Sequence, residues 1–336
     1  MCDAKKESVK EFYGKLKTED FSDSLNETLQ ACNRPKCGLP KRVREALKNV
    51  HEEVQKRYFG CGLCIPPVLE GCTVVDLGCG AGRDAFAISQ LVGESGKVIG
   101  VDMTEELLQF GERHKEWHRE KAQHKASNVE FKQGYIEKLG ELGFEDNSVD
   151  VMISNCVICL TAVKEDVFKE VARVLKPGGE IYFSDCYGNK PVSKEAQDSD
   201  KLWGEGAGAM VWSELGEICE KFGLSIPYMQ SASPYKFGDN VKDLLGDVIF
   251  AAVTWRIIKK PENEEKGLWL ATYNGEIEEI CSFQLAQNLK FPKNTPVLVH
   301  SSTVSELKSS RYSKFFTFQK VENESASRQL NPFDFI

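Results

Sequence analysis

The sequence predicts an α/β protein: a seven-stranded, mostly parallel sheet with helices on both faces, followed by a small C-terminal β-rich domain. Three observations carry this. Between Cys72 and Ser184, short apolar runs alternate with helical patterns of about 10–15 residues, as in sheets buried beneath crossover helices. The first run ends in Gly78-Cys79-Gly80-Ala81-Gly82, a glycine loop suited to the carboxyl edge of such a sheet. After Pro261 a charged stretch, Glu262 to Lys266, separates this region from further β-like runs.

Residues 1–39 are polar and irregular, with one short helical pattern on Val9, Phe12, Tyr13 and Leu16. From Lys41, the apolar residues Val43, Leu47, Val50 and Val54 recur at helical steps. They predict one amphipathic helix to about Tyr58, ended by Gly60 and Gly62. Strands are expected at Cys72–Leu77, Lys97–Asp102, Val129–Lys132, Ser148–Ser154 and Glu180–Ser184. The helices between them span Arg83–Leu91, Glu105 to about Lys125, and Lys164–Leu175, the last stopped by Lys176-Pro177-Gly178-Gly179. A helix over Ser213–Phe222 precedes two late strands, Ser225–Met229 and Asp247–Ile258, which suit an antiparallel edge. Leu268–Tyr273 and Glu276–Phe283 flank Asn274-Gly275, predicting a hairpin with a type I′ turn, and Phe291–Phe318 adds more β-like segments. The expected organisation is an N-terminal segment and capping helix over 1–62, a cofactor-binding domain over 63–260, the β-rich unit over 261–322, and a disordered tail over 323–336.

Composition narrows the function. Of 336 residues 41% are apolar and 28% charged, an ordinary globular balance. Lysine and arginine total 43 against 51 acids, a net charge of -8, which argues against a nucleic-acid partner. The nearest basic block, Lys41, Arg42 and Arg44, reads as a solvated helix face. Residues 1–10 carry charges throughout and no signal-peptide core, and no apolar run is long enough for a bilayer. A cytoplasmic protein without a membrane partner is expected. Twelve cysteines spread over such a chain predict reduced thiols with a chemical role rather than a disulfide scaffold.

The sharpest motif is Val75-Asp76-Leu77-Gly78-Cys79-Gly80-Ala81-Gly82. Dinucleotide sites use GxGxxG; this loop is GxGxG, with Asp76 two residues before the first glycine. A carboxylate there does nothing for a pyrophosphate but favours a cation. S-adenosylmethionine, with its ammonium and sulfonium, fits that preference, and a nicotinamide cofactor does not. Asp102, at the end of the second strand, is placed to accept ribose hydroxyls. In Gly134-Tyr135-Ile136-Glu137, Ile136 can cover an adenine and Glu137 can take its amino group.

These motifs resemble the seven-strand S-adenosylmethionine-dependent methyltransferases and, more closely, the arsenite methyltransferases. The similar stretches are Val50–Gly62, Val74–Asp84, Gly134–Gly140, Ser154–Val157, Tyr182–Asp185, Leu202–Glu205 and Tyr273–Gly275. The resemblance implies cofactor contacts at Arg57, Asp76, Gly78, Gly80, Asp102 with its neighbour Met103, Ile136, Glu137 and Asn155. It also implies that Cys32, Cys61 and Cys156 bind arsenic and carry the disulfide exchange that restores its trivalent state, with a thiol reductant such as glutathione or thioredoxin as co-substrate.

Soft trivalent arsenic suits thiolate ligands, and Cys156 follows the fourth strand at the ligand-binding edge. This chain departs from the resemblance at Gly206 and Val248, where cysteines are expected. Cys159 is a candidate replacement ligand, while Cys37, Cys64 and Cys79 are additional thiols. A methyltransferase acting on another small thiol, selenol or amine is the alternative, and a non-enzymatic metalloid-binding protein a third reading. The Cys-x-x-Cys pairs at 61–64 and 156–159 have zinc-like spacing, but the wide gap and lack of nearby histidines argue against zinc. His114 and His118, four residues apart, could share a metal; the polar helix around them reads instead as a solvated face.

Overall fold

A computed structural model of the chain describes residues 2–15, 39–199, 202–236 and 245–321. Helix α1 (Cys2–Lys15) covers the helical pattern expected near the N-terminus. The single helix expected from Lys41 to Tyr58 is instead two: α2 (Lys41–Lys48) and the short α3 (Glu52–Gln55). The break falls at Asn49-Val50-His51, where the His51 ring accepts the Glu53 amide and caps the new helix. The apolar periodicity survives because Val50 and Val54 remain buried across the break.

The central sheet has strands β1 (Thr73–Leu77), β2 (Lys97–Asp102), β3 (Val129–Gln133), β4 (Val149–Asn155) and β5 (Leu175–Gly188). Between them run α4 (Arg83–Val92), α5 (Glu105–Lys121) and α6 (Lys164–Val174). Then come α7 (Lys194–Asp198), a π-helical turn at Trp203–Ala207, β6 (Met210–Val211), α8 (Glu214–Lys221), β7 (Tyr228–Tyr235) and β8 (Phe250–Ile258). The main sheet path is β3-β2-β1-β4-β5-β8-β7, with two-residue β6 beside β5. Strands β1 to β5 pair in parallel, while β8 runs antiparallel to both β5 and β7, the expected antiparallel edge. Lys176-Pro177-Gly178-Gly179 does not stop the chain between helix and strand; it lies within β5 itself.

Alternating side chains split the core into two layers. Val75, Leu77, Met152, Ile181 and Phe183 pack with Phe168 of α6 and Leu215 of α8. Val74, Val98, Val151 and Ile153 face the other way, against Val43 of α2, Phe86 of α4 and Phe110 of α5. Both faces are therefore covered, and ligands are confined to the sheet's edge.

The C-terminal unit contains β9 (Leu268–Tyr273), β10 (Ser282–Ala286), β11 (Leu289–Pro292), β12 (Pro296–His300), α9 (Ser301–Ser309) and β13 (Phe316–Lys320). The expected hairpin about Asn274-Gly275 does not form. β9 pairs with β12 and β13, and β10 pairs with β11. After Asn274 the chain curls back: the Tyr273 hydroxyl accepts the Ile277 amide and donates to the Ile280 carbonyl, leaving this segment unavailable for a ladder. Helix α9 was also not expected among the β-like segments. The unit's aromatic core, including Tyr273, Phe283, Phe291 and Phe316, packs with Tyr228 and Ile258 of the main sheet. A buried polar knot completes the join. Arg311 donates to Glu180 at 2.6 Å and to the carbonyls of Pro67 and Val68, while Arg256 Nε lies 3.2 Å from the other Glu180 oxygen.

Candidate active site

Strand order reverses between β1 and β4, the place where open α/β sheets bind ligands beyond their carboxyl ends. A cleft of about 1030 Å³, counting its open mouth, lies there. Its walls include Arg57, Asp76, Gly78, Gly80, Asp102, Met103, Ile136, Glu137, Asn155 and Cys156. The motif glycines serve different ends. A side chain on Gly78, at φ +76°, would collide with Val157, whereas Gly80, at φ +53°, faces open space.

The cleft is rich in buried acid. Asp76 is 4% exposed, and its carboxyl is held well above the usual range by burial first, then by Asp84 and Asp102. Asp84 has a counterion, Arg83 at 2.8 Å, whose guanidinium lies 3.8 Å over the Tyr58 ring. Asp102 is also raised by burial, although its oxygens accept the Gly80 and Thr104 amides at 2.9 and 2.8 Å. The Thr104 hydroxyl and the Met103 amide also donate to this carboxylate. Glu137 pairs with Lys6 of α1, which with Val9 places that helix on the cleft wall. Mutual repulsion among buried carboxylates is relieved by a cation, so this residue set fits the ammonium and sulfonium of S-adenosylmethionine.

At the cleft's inner end Cys61 and Cys156 form a disulfide. Cys156 follows β4 directly at φ +56°, a left-handed turn uncommon for a residue with a side chain, and its amide donates to the Ser184 carbonyl. Asn155 holds the opposing loop. Its Oδ1 accepts the amides of Cys61 and Gly62, and its Nδ2 donates to the Gly62 carbonyl at 2.8 Å and the Tyr58 hydroxyl at 2.5 Å. Gly60 and Gly62 are thus not helix stops. A side chain on Gly60 would strike Tyr58 and Asn155, and one on Gly62 would strike Ser184. Asn155, expected among the cofactor contacts, lines the cleft but spends its amide on the cysteine loop. Tyr58 and Lys6 were not singled out from the sequence; Tyr58 lies within the similar stretch ending at Gly62, whereas nothing in the sequence ties Lys6 to Glu137.

The remaining thiols lie elsewhere. Cys32 and Cys37 fall outside the described residues. Cys64 donates to the Ser154 carbonyl, and burial pushes its thiol up. Cys159 packs with Asp185, which accepts its amide at 2.7 Å; burial, then Asp185, push the Cys159 thiol up, and burial lifts Asp185 to about 6. Because Ser184 contacts Cys61 and the next residue contacts Cys159, the two cysteines sit on opposite sheet faces. Neither Cys-x-x-Cys pair closes into a zinc site among the described residues: Cys61 bonds Cys156, away from Cys64 and Cys159. Gly206 lies in the π-helical turn at φ +110°, a glycine conformation, and Val248 packs near Gly188. The histidine helix is no solvated face. His118 is buried and stacked on Phe86, with its pKa lowered to about 4 by burial.

An α/β sheet of this order, with an acid-flanked glycine loop at its switch point, defines an S-adenosylmethionine-dependent methyltransferase; residues 69–231 match the family described as "Methyltransferase domain". Residues 266–333 match "Arsenite methyltransferase C-terminal domain". The arsenite methyltransferase of Rattus norvegicus is 40% identical over 94% of this chain and 85% of its own length. That of Aquipseudomonas alcaligenes is 37% identical over 93% and 90%. The crystal structure of an arsenic(III) S-adenosylmethionine methyltransferase from Chlamydomonas reinhardtii superposes with a TM-score of 0.79 at 36% identity, covering 84% of this chain and 97% of that one. The chain belongs to the arsenite methyltransferase family. Among the described residues no helix is long and apolar enough to cross a membrane.

Proposed function

We propose that this enzyme transfers the methyl group of S-adenosylmethionine to trivalent arsenic held by the thiolates of Cys156 and Cys61, with Cys32 as a further thiol. One observation carries the reading: Cys61 and Cys156, 95 residues apart in sequence, meet sulfur to sulfur beside the cofactor cleft. The names of relatives aligned over nearly the whole chain support arsenic as the acceptor.

Bound S-adenosylmethionine supplies an electrophilic methyl on a sulfonium, with a neutral thioether as leaving group. Asp76 would face its positive charge, Asp102 its ribose and Ile136 with Glu137 its adenine, and Lys6 would then share or yield Glu137. Met103 and Arg57 complete the wall. The cysteine pair holds arsenic with its lone pair toward the methyl, so alignment and water exclusion replace a general base. Attack raises arsenic from trivalent to pentavalent. Two thiolates return two electrons, become the Cys61–Cys156 disulfide, and leave methylated trivalent arsenic. Two equivalents of an external thiol, such as glutathione or thioredoxin, reopen the disulfide and are themselves oxidised to a disulfide.

The test is methyl transfer from labelled cofactor to arsenite with thiol reductant present. Wild-type protein should release labelled methylarsenic, and Cys156→Ser should release none while binding the cofactor normally. A wild type that binds cofactor but leaves arsenite unmethylated would move the acceptor to another small thiol, selenol or amine. Equal activity in Cys156→Ser would remove Cys156 from the site.

A further inference from the structure

Away from the cleft, where α3 meets α5, His51, Glu53 and His114 converge. One ring nitrogen of each histidine and a Glu53 oxygen lie within 4.8 Å of one another. We propose that this cluster binds a divalent transition metal of zinc's class.

His114 Nδ1 lies 2.9 Å from the Phe110 carbonyl, which only accepts, so Nδ1 carries the ring proton. Neutral His114 therefore points a bare Nε2 at Glu53 Oε2, 3.1 Å away. Two lone pairs face each other at hydrogen-bond distance, and only a cation between them makes that contact favourable. One candidate is a second proton, giving a simple ion pair. The other is a metal. Zinc-like ions take nitrogen and oxygen at about 2.0–2.2 Å, and a tetrahedral angle then separates two such ligands by ~3.3 Å. The observed 3.1 Å is close to that.

A proton accounts for two of these residues; the third favours a metal. The ring of His51 stands 4.6 Å from that of His114, centroid to centroid. Its Nδ1 accepts the Glu53 amide at 3.2 Å, at the long end of such bonds, so this ring holds an unprotonated nitrogen beside the pair. The surroundings also fix the ligands as an outer shell does. His118 Nδ1 bonds the His114 carbonyl at 2.8 Å, and its Nε2 accepts the His51 amide at 3.1 Å. Buried and stacked on Phe86, His118 ties both ligand-bearing segments together. The Trp117 ring, edge-on to His51, packs the outer side. Water would complete the coordination on the Glu53 side, which is exposed. The metal would thereby fasten α3, which leads to Arg57, Tyr58 and Cys61, to α5.

Cobalt(II) is the probe, because thiolate ligation adds an intense sulfur-to-cobalt charge-transfer band that nitrogen and oxygen ligands lack. Titrated into the full-length protein with its disulfide formed, cobalt should give ligand-field bands without that band, at one equivalent. Zinc should displace it and raise Tm. His114→Gln and the exposed-site variant Glu53→Gln should each weaken binding about ten-fold or more and abolish the rise in Tm, while both keep wild-type cofactor affinity and Glu53→Gln, at a side chain 62% exposed, keeps the metal-free Tm of the wild type. Binding of equal strength in both variants, bands that always carry the sulfur signature, or no cobalt or zinc binding by wild type would each overturn the proposal; the last would leave an ion pair only.

Discussion

Asn155→Ala tests whether one amide side chain pre-organises the cysteine pair. The substitution removes the acceptor for two buried amides, Cys61 and Gly62, and the donor to the Gly62 carbonyl and the Tyr58 hydroxyl. Leaving one buried polar group unpaired costs roughly 1–3 kcal/mol. The Gly60–Gly62 loop would relax to recover part of that from water. A loss near 2–3 kcal/mol in loop ordering is therefore reasonable, and each ~1.4 kcal/mol is ten-fold in an equilibrium. The disulfide equilibrium with glutathione reads this directly, since forming the bond requires Cys61 to be held beside Cys156. Its constant should fall roughly 30- to 140-fold. Cofactor affinity should change less, because Asp76, Asp102 and Glu137 keep their places. A constant within two-fold of wild type would refute the assignment of Asn155 as a positioning residue. A loss confined to cofactor affinity would return it to the role implied by the family resemblance.

Three further outcomes follow from the geometry. Asp102→Ala and Glu137→Ala should each weaken S-adenosylmethionine binding by about 1.5–3 kcal/mol in a calorimetric titration without unfolding the protein; unchanged affinity in both would remove them from the cofactor site. Arg311→Ala removes the closest counterion of Glu180, 0% exposed, leaving it only Arg256 and the Tyr312 hydroxyl, and takes a donor from the Pro67 and Val68 carbonyls, so urea unfolding should report a loss of about 3 kcal/mol. A loss under about 1 kcal/mol would mean that Arg256 and the Tyr312 hydroxyl together satisfy the knot. Burial raises Glu306 from 4.5 to about 7, beside the Tyr228 hydroxyl at 2.6 Å. The folded state thus holds a proton that the unfolded state releases, and stability falls as pH rises from about 4.5 to 7, by up to ~3 kcal/mol. Tm measured across that window should slope downward in wild type relative to Glu306→Gln; parallel curves would contradict the buried proton.

How far the sequence could be read depended on the range of the interactions involved. Parallel strands β1, β2 and β4 were legible because each is an apolar run largely buried on both faces, unlike the partly buried edge strand β3, and the cleft edge because Asp76 and Asp102 lie at the ends of such runs. The helix break at Asn49–His51 was not, since the apolar spacing of Val50 and Val54 continues across it while the cap comes from a ring that also meets α5. Asn274-Gly275 carries a strong hairpin signal, yet the Tyr273 hydroxyl captures the following segment and β9 finds β12 and β13 instead. That competition is settled by tertiary packing around Phe283 and Phe316. At the site, Cys61 and Cys156 were singled out through the family resemblance, but their direct bond was not read from composition, which predicted reduced cysteines. Asn155 as a clamp and Lys6 as the partner of Glu137 depend on contacts across 94 and 131 residues.

If Cys61 and Cys156 hold arsenic as proposed, the two-residue period of a strand decides which further cysteine can join them. Ser184 and Asp185 are neighbours in β5 and must point to opposite faces. Cys61 Sγ lies 3.5 Å from Ser184 Oγ, on the face shared with Tyr182 and Cys64, whereas Cys159 is bound to Asp185 on the face shared with Phe183. Cys156 bridges this division only because its left-handed turn carries it off the strand's alternation. Cys159 has no such turn; it is the middle residue of the 3₁₀ segment Ile158–Leu160, which is closed against Trp203, whose indole donates to the Leu160 carbonyl. Its thiol is also held protonated by burial and by Asp185, which weakens it as a soft ligand. A replacement for the cysteine expected at Gly206 is thus better sought in Cys32 or in the external thiol than in Cys159. Cys159→Ser should accordingly leave arsenite binding within about two-fold of wild type, measured with the cysteine pair reduced, whereas a ligand's loss would weaken it by ten-fold or more at roughly 1.4 kcal/mol per decade. A ten-fold loss in Cys159→Ser, with cofactor affinity intact, would show that the loop can turn its thiol over the sheet edge and would reverse this conclusion.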